Sequence, residues 1–165
     1  MAARLAARRQ IDPIARFMQD HDVALEQLAS LSKATRTISE QGLTPDARRR
    51  VLRAMRFIDQ EVSVHNKSEE EALFPVLERY IEGPTKLMRD DHKLLKREFR
   101  RLRHAATRLT QNSRSAKAAS DFTETSRRVS QIFVNHIHKE NHILFPLVQK
   151  FLTRDALREI ARRLI

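Results

Sequence analysis

Shifted by 71 places and laid on itself without a gap, the sequence aligns Pro13 with Pro84, Asp20 with Asp91, His21 with His92, Gln60 with Gln131, His65 with His136 and Glu69 with Glu140. Leu73-Phe74-Pro75 falls on Leu144-Phe145-Pro146 in the same register. Such a chain is restricted to folds in which two copies of one supersecondary unit pack together. Residues that repeat along it should also repeat in space around the axis that relates the copies.

Each copy reads as a pair of helices. Ile14, Phe17, Met18, His21, Leu25, Leu28, Leu31, Thr35 and Ile38 recur at steps of three and four, the spacing of one helix face. A second stripe runs through Val51, Leu52, Met55, Ile58, Val62, His65, Glu69, Leu73 and Val76. A third carries Met88, His92, Leu95, Phe99, Leu102, Ala106 and Leu109, and a fourth carries Phe122, Val129, Ile132, Phe133, His136, Glu140, Leu144 and Val148. Gly42 with Thr44-Pro45 marks a helix stop followed by an N-cap and a first-turn proline. Gly83-Pro84 and the polar run 111–115 supply the other breaks.

Short connections make neighbouring helices antiparallel, so the expectation is an all-α, up-down-up-down four-helix bundle. Its first hairpin spans 11–82 and its second 83–152, within one domain over 1–165. Thr153 caps a short C-terminal helix over 153–165, and the Ala/Arg-rich stretch 1–10 is a lead-in helix or a frayed tail. Pro75 and Pro146 lack a backbone donor and are expected to kink or terminate their helices.

Two Gly and five Pro among 165 residues leave little material for hairpin turns, which excludes an all-β domain. The chain has no cysteine, so it can hold no disulfide, iron–sulfur cluster or thiolate zinc site, and any metal must be bound through nitrogen and oxygen. It contains no apolar run of eighteen residues. Neither a membrane span nor a secretory leader is expected, and a cytoplasmic location follows as the expectation.

The informative residues are polar ones in apolar stripes. His21, His65, His92 and His136, with Glu69 and Glu140, point toward the bundle core. An uncompensated buried carboxylate costs several kcal/mol, roughly, so this group calls for a shared cation. His65–Glu69 and His136–Glu140 are i, i+4 pairs, about 40° apart around the helix and about 6 Å along it, and both members can reach one centre. A single histidine in such a stripe is more often an ordinary core residue. The doubled motif, each copy 44 residues after another histidine, favours metal instead. Four imidazoles and two carboxylates exceed a tetrahedral zinc site and suit two octahedral-leaning irons that share two carboxylates, with positions left for an oxo or hydroxo bridge and an external ligand.

The sequence Asp-His in the first helix and His-x-x-x-Glu-x-x-x-Leu-Phe-Pro in the second, then both again, resembles the hemerythrin-like HHE cation-binding domain from about Ile11 to Leu152. The resemblance implies a non-haem di-iron centre in a four-helix bundle. It makes His21, His65, His92 and His136 terminal ligands and makes Glu69 and Glu140 bridges. Oxygen-carrying hemerythrins place a further histidine four residues after the third-helix histidine, where this chain has Lys96, and use a longer spacing in the last helix. The symmetric six-ligand set is more similar to the iron-centre-repair and nitric-oxide-responsive branch, although the cysteine-bearing segment of some of those proteins has no counterpart here.

Other polar residues have weaker readings. His138 and His142 fall away from the ligand stripe and are read as surface residues, with proton relay or an accessory metal as the alternative; His104 faces solvent. Glu61 is a candidate neighbour of the centre. Glu70 and Glu71 could substitute as ligands after a helix rotation. Asp20 and Asp91 could position an imidazole only on another helix; otherwise they form surface ion pairs. Lys96 snorkels to the surface or places charge near a bound anion. Leu73, Phe74, Leu144 and Phe145 close the apolar end of the core and keep water from the centre.

The net charge of +11 comes from Arg clusters such as 48–50, 100–101, 127–128 and 162–163. It attracts anions without selecting one. With one Tyr, no Trp and no helix-turn-helix pattern, a nucleic-acid partner is the least favoured reading. Two others remain: a centre that binds or reduces dioxygen, peroxide or nitric oxide, and a non-catalytic iron or oxygen sensor read by a protein partner. No membrane partner is expected, and the sequence names no reductant.

Overall fold

The computed structural model describes residues 12–164, and the lead-in expected over 1–10 lies outside them. Helix α1 spans Pro13–Gln41. A second rod is continuous through α2 (Pro45–Phe57), a π-helical segment Ile58–Val62, α3 (Ser63–Ser68), a second π-helical segment Glu69–Leu73 and α4 (Phe74–Leu77). Helix α5 spans Pro84–Gln111. The fourth rod joins α6 (Ala116–Lys139), a π-helical segment Glu140–Leu144 and α7 (Phe145–Phe151), and α8 (Arg154–Arg163) follows. The chain is an all-α bundle of four rods with a short C-terminal helix.

The breaks have the expected chemistry. Gly42 adopts φ 82° and sends its N–H to Ile38 O, closing α1 in a conformation that favours glycine. Thr44 then caps α2 by accepting from Ala47 N, with Pro45 in the first turn, while Ser115 and Thr153 cap α6 and α8 through Ala118 N and Ala156 N.

Of the two outcomes expected at the prolines, termination does not occur. Neither Pro75 nor Pro146 ends its rod. A proline cannot donate to the carbonyl four residues back and crowds it, so the preceding turn widens until Phe74 N–H bonds Glu69 O and Phe145 N–H bonds Glu140 O. Each wide turn begins at a repeated glutamate. Arg163 Nη1 reaches 3.5 Å from Glu71 O, the carbonyl that Pro75 cannot serve, tying α8 to the second rod.

The apolar interior has two parts. One gathers Leu28, Leu31, Val51, Leu102, Leu109, Phe122 and Val129 along most of the bundle. The other gathers Ile14, Phe17, Leu73, Phe74, Met88, Leu144, Phe145 and Ile160 at the Leu-Phe-Pro end, under α8. On α1, His21 falls between Phe17 of one part and Ala24 of the other, so the polar residues form a layer between two apolar ones.

Candidate metal centre

All six sequence-predicted residues meet in that layer. His21, His92 and His136 are buried, Glu69 and Glu140 are fully enclosed, and only His65 is partly accessible. The donor atoms form two overlapping groups, His21, His65, Glu69 and Glu140 on one side and Glu69, His92, His136 and Glu140 on the other, each within 4.8 Å. Each group thus takes both histidines of one hairpin and shares both glutamates.

Each imidazole is held from behind. His65 Nδ1 donates to Asp20 at 3.0 Å, and His136 Nδ1 donates to Asp91 at 3.3 Å. The aspartates therefore act across to another helix, and the surface-pair reading gives way. Asp91 also receives Lys139 at 2.6 Å. His21 Nδ1 donates to Asn141 Oδ1 and His92 Nδ1 to Glu70 Oε1, both at 2.7 Å. Asn141 and Glu70 occupy equivalent repeat positions. Glu70 is thus an orienting partner rather than a substitute ligand. Phe145 stacks on His21 and Phe74 on His92, with centroids 5.4 and 5.8 Å apart. The matched partners place the two halves around a local twofold.

With Nδ1 occupied, every Nε2 faces the centre. Glu140 lies 2.9 Å from His21 Nε2 and 3.1 Å from His136 Nε2; Glu69 lies 3.5 Å from His65 Nε2 and 3.3 Å from His92 Nε2. The Nε2 atoms of His21 and His65 are 3.1 Å apart. Adjacent ligands on an octahedral ion with bonds of about 2.1 Å are separated by about 3.0 Å, so these spacings resemble edges of a coordination shell. Both oxygens of Glu69 and of Glu140, and the Nε2 atoms of His92 and His136, are buried without a hydrogen-bond partner. Leaving such groups unsatisfied is costly, and a cation satisfies them together.

Without metal, protons compensate the acids. Burial opposes charging His65, yet Glu69, the Asp20 hydrogen bond and Glu140 push its pKa up to about 10. Burial likewise opposes charging His92, and Glu140 and Glu69 still raise it to about 10. Burial works against ionised Glu140, but the imidazoles of His136, His21 and His92 facing it hold it well below the usual carboxylate range.

The remaining sequence candidates lie outside this layer. His104, His138 and His142 are exposed, and the last two rings meet edge to face at 5.7 Å. Glu71 is exposed and reaches Lys67 at 3.8 Å. Glu61 is exposed on the wall of a cavity of about 370 Å³ that also contacts His21, His65 and His136. Sequence reasoning missed Asn141, although its alignment with Glu70 was the available signal. It also missed Glu98, fully buried and paired with Arg101 at 2.9 Å and Arg128 at 3.1 Å, which had no matched acid in the first copy.

A helical bundle whose core carries histidines and glutamates able to hold cations defines a class of metal-binding bundle proteins. Residues 12–148 match the family model of the hemerythrin HHE cation-binding domain, and the chain belongs to that family. No curated protein is matched by the chain. It is a metal-binding hemerythrin-like protein.

Proposed function

We propose that the centre holds two non-haem irons, with His21 and His65 on one, His92 and His136 on the other, and Glu69 and Glu140 bridging them. Its role in this reading is to bind or reduce dioxygen, peroxide or nitric oxide, in a stress response or in repair of iron centres. When bound, iron supplies one-electron redox chemistry and coordination positions that the protein leaves open. Two histidines and two carboxylate oxygens would hold each ion and would leave room beside it for a small external ligand.

The observation that carries this reading is the cavity of about 370 Å³ that reaches His21, His65 and His136, a route for a small molecule. Phe17, packed edge to face on His65 at 5.3 Å, and Phe145 restrict water on that side. Asp20 and Asp91 keep the Nδ1 protons of His65 and His136 in place, so the opposite nitrogens remain available as donors.

Anaerobic loading with ferrous iron, followed by stopped-flow mixing with dioxygen, hydrogen peroxide or nitric oxide, tests the proposal. A rapid absorption change with at least one of them is expected. No change with any of them contradicts a reactive centre.

A further inference from the structure

The local twofold makes the face between α1 and the fourth rod equivalent to the face between α5 and the second rod, yet they are built differently. On the first, Phe133 and Ile137 are buried, and Leu25 and Val134 pack against the same apolar cluster. Adding or subtracting 71 gives their counterparts: Val62 for Phe133, Ser63 for Val134, Asn66 for Ile137 and Lys96 for Leu25. Smaller or polar side chains thus replace a filled seam, and the second face holds a groove of about 610 Å³. Its volume lies within the roughly 300–1,000 Å³ common for small-molecule sites.

The groove is basic at its rim and apolar at its floor. Ile58, Val62 and Phe99 line the floor, and the inner end meets His92 and Glu70. Most rim cations already have acidic partners. Arg103 pairs with Asp59, Arg89 with Glu78, Lys67 with Glu71 and Lys93 with Asp90. Lys96 and Arg100, one helical turn apart on α5, have none within ion-pair distance among the described residues. Their equivalents on the closed face are Leu25 and Ala29, so this charge belongs to one face alone. Asn66 also lines the groove, and its buried side-chain oxygen lacks a donor.

We propose that this groove is a binding site for a small organic phosphate monoester. Lys96 and Arg100 pair with the phosphate, and the apolar floor receives the body of the molecule. A monoester carries about −1.5 to −2 charges at pH 7, matching these two cations, and the Arg fork suits phosphate oxygens. Asn66 accepts from a hydroxyl or amino group on the ligand. This inference does not depend on which small molecule the metal centre takes.

Adenosine monophosphate is the probe, titrated by calorimetry into the full chain with and without metal, beside adenosine, inorganic phosphate and a single-stranded oligonucleotide. Saturable binding of the monophosphate, at least tenfold tighter than adenosine or phosphate, is expected. Exchanging Lys96 and Arg100 for their repeat counterparts, K96L/R100A, should weaken it at least tenfold. R48A/R53A, which removes the same charge elsewhere, should weaken it less than twofold. Circular dichroism verifies folding, and R100A alone serves if the double variant does not fold. Absence of saturable binding, equal loss in both double variants, or oligonucleotide binding without monophosphate binding overturns the proposal.

Discussion

The two halves of the metal layer present the same donor types, but their surroundings differ. His21 leans on the neutral amide of Asn141, and its partner His65 lies beside the cavity. His92 leans on the Glu70 carboxylate, and its partner His136 is tied to Asp91, which also holds Lys139. A carboxylate behind an imidazole makes the opposite nitrogen a stronger donor than an amide does. A degenerate repeat that keeps its six donors can therefore encode two unequal positions, and the carboxylate behind His92 should make the His92/His136 side the tighter.

The largest expected effect comes from removing what the halves share. E69A/E140A eliminates both glutamates that touch the two groups, and iron per chain after loading should fall from two to near zero by elemental analysis. Exchanging the orienting residues tests the inequality itself. E70N gives His92 the amide-type partner of His21 and should weaken the tighter site about 10- to 100-fold in chelator competition. N141E should narrow the gap from the other side. An effect of E70N on both ions alike would break the comparison.

Blocking the cavity should act on rate rather than on metal content. Val64 lines it and is 60% exposed, so V64W can be accommodated at the surface. Its association with dioxygen or nitric oxide should slow several-fold in stopped flow while iron content stays unchanged.

The smallest effect is in pH dependence. Relative to ordinary values of 6.5, His65 and His92 are raised to about 10 in the metal-free fold. Their contribution to stability is complete below about pH 6.5 and lost as pH rises toward 10. Glu140 is lowered from 4.5, so its contribution is present above that value and lost in acid. Metal-free protein should therefore have its highest Tm between about pH 4.5 and 6.5. Metal replaces the protons, so the Tm gain on loading should widen by a few degrees from pH 6.5 to 9, with acid released on loading.

Much of this was legible in the sequence because repetition converts weak signals into a pattern. His65 and Glu69 alone would pass for a surface pair; matched with His136 and Glu140 at one offset, they mark a layer. The helix ends at Gly42, Thr44 and Thr153 were legible because capping is local chemistry. The π turns at Glu69–Leu73 and Glu140–Leu144 were not, since their formation depends on how the chain accommodates Pro75 and Pro146 without ending the rod. The contacts of Asp20 with His65 and of Glu70 with His92 were also hidden, because each crosses between helices whose relative rotation the sequence pattern does not specify. The groove emerged only where the repeat fails, at Val62, Asn66, Lys96 and Arg100.

Iron content of the full chain after anaerobic ferrous loading and removal of excess metal is the most direct test of a paired centre held by six side chains. Two irons per chain, reduced to near zero in E69A/E140A, are the expected result. One iron or none in the parent protein, or two retained in that variant, would contradict it.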